Sequence, residues 1–259
     1  MDLDPELAAL RPLGGFFVLR TTAATTATGP ATATGAGAAR TGLATLAEAY
    51  GPPRPDVPRG ALTSRVELVA DRLRVAEPRV SASIAHQALA ARLWSAALAC
   101  AAVYGSVPDL DPRLLRWDAP AAAPDDLWLT EVRPLPADTA TLVDTVLHGH
   151  LQPLGEALRS RYGVAAGLLW GNAGSALAGA ARELDRWARA NGRTDVADRA
   201  RALTAGLFAH PLLSATGTRS GTAFRRRSCC LYYRVPGGGV CGDCCFTRPP
   251  DSSPRAVSG

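Results

Sequence analysis

The 259-residue sequence contains no lysine; all 28 of its basic residues are arginine. Isoleucine and methionine occur once each, and aromatic residues make up 6%. Abundant Ala, Gly, Pro and Arg against missing Lys, Ile and Met is the imprint of a GC-rich coding sequence, so the arginine count alone does not point to nucleic acid. Long apolar runs are also lacking. Leu93 to Pro108 is 16 uncharged residues, short of the ~20 that a bilayer requires. Tyr162 to Ala181 reaches 20 but holds five glycines, Asn172 and Ser175, which suits a buried helix better than a membrane span. The start, Met1-Asp-Leu-Asp-Pro-Glu, is acidic and has no basic n-region of a secretory signal. Nor is there a complete Gly-x-Gly-x-x-Gly: Gly35-Ala-Gly37 fails at Arg40, which leaves no nicotinamide or flavin fingerprint. The expectation is a cytoplasmic chain without a membrane span.

What is present is unevenly placed. Apolar residues make up 47% and charged residues 20%, enough for a real core. Residues 1–218 carry 21 Arg against 21 Asp plus Glu, whereas residues 219–259 carry seven Arg against Asp243 and Asp251, the whole of the net +5. Five of the six cysteines, Cys229, Cys230, Cys241, Cys244 and Cys245, lie in that same stretch. A neutral body with a basic, cysteine-dense end argues against a nucleic-acid binder, whose charge spreads along a face. In a reducing compartment, clustered thiols point to metal or redox chemistry rather than disulfides.

Periodicity and breakers predict a mainly α fold: a helical, bundle-like body with one short strand pair at most, then a small cysteine-ligated module. Helices are expected over about 3–10, 41–50, 61–76, 84–104 (with Ser81 or Ser83 as N-cap), 138–162 with a bend near Pro153, 164–190 and 194–209. Phe16–Leu19 and Leu127–Val132 read as strands. The Gly163-x3-Gly167-x3-Gly171 spacing is read as a place where two backbones approach. The domain reading is a body over 1–220 with a low-complexity loop at 21–39, a metal module over 221–246, and a disordered tail over 247–259; Pro52–Pro58 is a linker.

The cysteine spacing is C-C-x10-C-x2-C with a further cysteine directly after. A C-x2-C pair can place two thiolates on one ion, as zinc ribbons and iron–sulfur proteins both do. Structural zinc sites space ligands by two to four residues, so the adjacent pair Cys229-Cys230 favours a larger two-iron core, with a structural zinc staple as the competing reading. Such a core with four thiolates is dianionic when oxidised and more negative when reduced. Arg225, Arg226, Arg227 and Arg234 flank it and favour the reduced state, and Gly237–Gly239 is expected to aim backbone N–H groups at sulfur.

The segment Ser228-Cys-Cys-Leu-Tyr-Tyr-Arg through Gly237-Gly-Gly-Val-Cys-Gly-Asp-Cys244 resembles the C-terminal signature of the ferric iron reductase FhuF-like family. Val80-Ser-Ala-Ser-Ile through Leu89-Ala-Ala-Arg-Leu-Trp94, Gly105-Ser-Val-Pro-Asp-Leu110 and Leu169-Trp-Gly-Asn-Ala173 are similar to its body. The resemblance implies a cytoplasmic 2Fe-2S ferric-siderophore reductase with Cys229, Cys230, Cys241 and Cys244 as iron ligands. Cys245 departs from the pattern as a substitute ligand that could compete. It implies one-electron reduction of Fe(III)-siderophore to release Fe(II), an oxidoreductase acting on metal ions in iron acquisition. No catalytic residue beyond the cluster is expected. With no nucleotide site, electrons would come from a separate ferredoxin-like donor docked on the basic end. The alternative is a non-catalytic iron–sulfur binding or sensing protein of siderophore metabolism.

The remaining candidates read as structural. His148 and His150 at i, i+2 point apart on a helix and suit no metal, and the histidines, His86 and His210 included, read as ordinary surface or core residues. Cys100 is a small buried hydrophobe, the tryptophans are core, and Arg182, Arg186 and Arg189 form a solvated face.

Overall fold

The computed structural model describes residues 7, 9–22, 42–52 and 60–250. Of the expected loop at 21–39 only Thr21 and Thr22 are described, Thr21 being in a strand rather than a loop; the rest of that loop, the linker beyond Pro52, most of the N-terminal helix and most of the tail lie outside the described residues. A 3-10 turn at Arg11–Leu13 and strand β1 (Arg20–Thr21) precede α1 (Leu46–Tyr50), α2 (Ala61–Leu73) and α3 (Pro78–Tyr104). Strands β2 (Ser106–Pro108), β3 (Leu115–Trp117), β4 (Leu127–Leu129) and β5 (Pro134–Pro136) follow. Then come α4 (Thr139–Leu142), a π-helix (Val143–Leu151), α5 (Gln152–Tyr162), α6 (Ala166–Ala190), α7 (Thr194–Ala209) and α8 (Pro211–Ser214). The hairpin β6 (Gly217–Ser220) and β7 (Ala223–Arg226) leads into the cysteine segment.

Helix α3 is the axis of the body. Pro78 sits at its first position, where no N–H is needed, and Gly105 ends it in the left-handed region (φ +67°), its N–H donating to Ala101 O. Its alanines leave it thin, and it is buried along nearly its whole length; a helix enclosed on all sides is a core helix. Helix α6 lies against it through Leu169, Ala173, Ala176, Leu177, Ala180, Leu184 and Ala188, and α7 covers both.

Three points differ from expectation. Helix α3 begins at Pro78, so Ser81 and Ser83 are buried side chains inside it rather than caps. Residues 16–19 are turn and extended chain, and the strand is Arg20–Thr21, which runs parallel to β4 while β3 pairs antiparallel to β4. Two further pairs, β2–β5 and β6–β7, make three small sheets among the described residues. The bend near Pro153 takes the form of the π-helix, because Pro153 has no N–H to return to Gly149 O and the preceding turns loosen to i, i+5 bonds.

The N-terminal segment is tied down by a buried ion pair. Arg92 meets Asp126 at 2.9 Å, with both side chains at most 3% exposed. The same guanidinium donates to Phe16 O and, at 2.9 Å, to Val18 O. Each of its three nitrogens thereby donates to an oxygen, which is how a buried arginine is tolerated.

Candidate metal centre

After β7 the chain leaves the hairpin at Arg226 and runs over α6. Two glycines of α6 make this approach possible. A Cβ on Gly171 would overlap Ser228 Oγ, and one on Gly174 would lie 2.5 Å from Thr216 Oγ1. Ser228 Oγ donates to Gly167 O at 2.9 Å. Of the glycine spacing seen in the sequence, only Gly171 serves close approach, and of the C-terminal segment to α6 rather than of two helices; a Cβ on Gly167 would meet nothing within 4 Å. Gly163 belongs to a different job, ending α5 at φ +64°.

The five C-terminal thiols fall into a pair and a trio. Cys230 Sγ and Cys241 Sγ are 3.6 Å apart. Cys229, Cys244 and Cys245 offer sulfurs within 4.8 Å of one another. Cys100 is buried within α3, outside this set. Two sulfurs at metal–sulfur bonds of about 2.3 Å on one tetrahedral ion are about 3.8 Å apart, so the pair already stands at nearly that edge length. Either a single zinc or a two-iron core uses four of the five thiols, but one zinc needs four sulfurs all about that far apart, whereas no more than the trio meets within 4.8 Å among the described residues. A two-iron core takes two thiolates per iron, which the pair and any two of the trio supply. The donor set therefore fits a 2Fe-2S group.

The surroundings act differently on the individual thiols. Leu231 N–H donates to Cys229 Sγ at 3.3 Å and Phe246 N–H to Cys244 Sγ at 3.4 Å. These donors come from the residues after each cysteine pair and not from the triglycine, whose Gly238 N–H instead closes a turn on Val235 O at 2.7 Å. The hydrogen bond from Cys241 and the neighbouring N–H of Tyr232 bring Cys230 down to about 7. Its partner Cys241 is pushed up by the same bond and by burial, and burial also raises Cys229 and Cys245. The positive charge of Arg226 opposes the rise at each of these thiols.

The four flanking arginines turn out to differ. Arg225 and Arg227 are exposed, and Arg225 donates to Cys245 O at 3.1 Å. Arg234 is exposed and pairs at 2.7 Å with Glu77, a carboxylate it shares with Arg79. Arg226 is 1% exposed. Its guanidinium donates to Asn172 Oδ1 and, at 3.4 Å, to Gln87 Oε1. Asn172 Nδ2 in turn donates to Ser83 O at 2.9 Å, and Ser83 Oγ to Cys230 O at 2.8 Å. A closed polar circuit thus joins β7, α6, α3 and the first cysteine pair. Nearby, Asp243 accepts from Ser175 Oγ at 2.7 Å and pairs with Arg182 at 3.0 Å. Arg182 is therefore an anchor of the module, unlike the solvated Arg186 and Arg189, which pair along their own helix.

Asn172, Ser175, Gln87 and Asp243 carried no role at the site in the sequence reading, and Ser83 was read only as a candidate N-cap. The available signal was one amide, Asn172, amid the Leu, Ala and Gly of α6; a lone buried amide needs partners. His86, beside Arg226, has an unpartnered buried Nδ1 and is held neutral, down to about 3, by burial and by that charge.

Comparison with known families agrees with this geometry. A family described as ferric iron reductase FhuF-like transporter matches residues 86–216, and one described as FhuF 2Fe-2S C-terminal domain matches residues 226–246. The chain belongs to the FhuF-like ferric iron reductase family. Its C-terminal cysteines form the family's 2Fe-2S centre. No curated protein matches the chain. Among the described residues, no helix of this FhuF-like protein is long and apolar enough to cross a membrane.

Proposed function

We propose that this FhuF-like protein is a cytoplasmic ferric-siderophore reductase that passes single electrons to chelated Fe(III) through a cluster held by Cys229, Cys230, Cys241 and Cys244. When bound, a 2Fe-2S group supplies a one-electron carrier. The observation that carries the reading is a cleft of about 490 Å³ with Cys241, Gly242 and Asp243 on one wall. The opposite walls are Gly14–Phe16 of the N-terminal segment, Gln87 and Ser95 of α3, and Ser175 and Arg182 of α6. Its size is that of an ordinary ligand site, and Phe16 stands 44% exposed at its edge. A bulky chelate seated there lies against a cluster ligand.

The residues lining the cleft position and do not react. Arg92 fixes Phe16 through its carbonyl, and the Arg182–Asp243 pair holds the loop between Cys241 and Cys244 in place. Siderophore oxygen donors hold the small, highly charged Fe(III) much better than Fe(II), so one electron loosens the grip with no bond of the chelator broken. No general acid or nucleophile is needed. Cys245 is the spare thiol of the trio. Exposed Arg219, Arg225 and Arg227 on and beside the hairpin suit an acidic, ferredoxin-like donor.

The test is anaerobic. Protein reduced chemically and freed of reductant is mixed with ferric siderophores, while the visible spectrum and an Fe(II) trap are read together. Re-oxidation with matching Fe(II) release is expected. Reduced protein that keeps its spectrum with every chelate would overturn the reading and leave a binding or sensing protein.

A further inference from the structure

Arg226 is the one arginine of the module sunk into the protein, at 1% exposure. It makes no ion pair with a carboxylate among the described residues. Its side-chain acceptors are the neutral amides Asn172 and Gln87, and its Nε has no partner at all. Asp243 meets it through the backbone, Arg226 N–H donating to Asp243 O at 3.0 Å. The Asp243 carboxylate is committed to Ser175 and Arg182. Compare Arg92, equally buried, whose charge is met directly by Asp126. A guanidinium buried without a counter-charge is costly and needs explaining.

The missing negative charge is next door. Arg226 stands three residues before Cys229, and the hydrogen bonds that run from its guanidinium through Asn172 and Ser83 end on Cys230 O. We infer that Arg226 is the built-in counter-ion of the 2Fe-2S centre, held in place by the Asn172–Ser83–Cys230 circuit, and that it sets the centre's reduction potential. A fixed buried cation stabilises the more negative, reduced form over the oxidised one, because water screens it little. The exposed Arg225, Arg227 and Arg234 are screened by water, and Arg234 also pairs with Glu77. Arg226 is in this sense a positioning residue for charge. The inference needs the cluster but not turnover, so it stands or falls separately from the reductase reading.

The experiment is a mediated potentiometric titration of the iron-loaded protein, read by visible absorption and by EPR of the reduced state, with iron per chain measured alongside. In Arg226→Gln the midpoint falls, shifting the oxidised-to-reduced ratio at a fixed potential at least tenfold, about 59 mV for a one-electron couple. Arg226→Lys, which keeps the charge but loses the two-amide fork, stays within threefold of wild type, and so does Arg225→Gln. A merely structural Arg226 would move the iron content equally in the Gln and Lys variants and leave the potential of the loaded fraction unchanged. That result overturns the inference. Should Arg226→Gln fail to take up iron, Gln87→Glu decides, because it places a carboxylate on the same guanidinium. A fall in its midpoint supports the role, and a midpoint at the wild-type value overturns it.

Discussion

Two buried arginines, Arg92 and Arg226, separate the two regions of this molecule. In the body Arg92 meets its own carboxylate and two carbonyls, and around it lies a continuous apolar core built on α3 and α6. In the C-terminal module Arg226 meets only amides, and the apolar contribution is small: Phe224 on the main core, and Val235 in a satellite with Val75 and Val80. The body is organised by removing hydrocarbon from water. The module is a short segment fixed by hydrogen bonds to α3 and α6 and by what its thiols hold. Below about 40 residues, a segment with so little core relies on a metal or another staple.

The contrast can be broken at either end. Cys230→Ser or Cys241→Ser should abolish iron binding and visible absorption altogether, while far-UV circular dichroism keeps the helical signal of the body. Cys245→Ser should retain two irons per chain. Loss of helicity in step with iron would mean that the two regions are not separately held. Next in size, Asp126→Ala leaves Arg92 buried and unpaired and should cost about 3–5 kcal/mol in denaturant unfolding, with the iron content of the folded fraction unchanged.

Acid should weaken the body as well. His150 is fully buried between Tyr50 OH (2.9 Å) and Leu110 O (2.5 Å), and burial lowers it to about 4. Its folded value lies below the unfolded one, near 6.5, so the unfolded chain takes up the proton first and stability is lost as pH falls through that window. Between pH 6.5 and 5 this amounts to about 2 kcal/mol, and His150→Gln should flatten that part of the profile. Gly171→Ala, by pressing a methyl group against Ser228, should cost about 1–3 kcal/mol and shorten the lifetime of the visible bands. Smallest of all, Arg186→Ala removes an exposed i, i+3 pair with Glu183 and should change stability by less than about 0.5 kcal/mol.

Much of the body was legible because helices announce themselves locally. The spacing of Leu62, Val66, Val69 and Leu73, the Gly105 stop and the Asn191-Gly192 break each act over a few residues, and the helices fall close to where these signals put them. The short strands were harder. Arg20–Thr21 pairs with Trp128–Leu129 across more than 100 residues, and no local pattern carries a partner at that distance. The same limit applied to the centre: five clustered cysteines were plain to read, whereas their grouping into a pair and a trio was not.

The order of residues by itself determined that this chain has a helical body, a basic cysteine-rich end, and the thiol chemistry of a 2Fe-2S centre, because composition and close spacing survive in any fold. Which arginine is stripped of water, and which amide and hydroxyl hold it beside the thiols, only the tertiary structure decided. Burial is a property of what packs around a group, and Arg226, Asn172 and Ser83 meet only once α3, α6 and the C-terminal hairpin have been brought together.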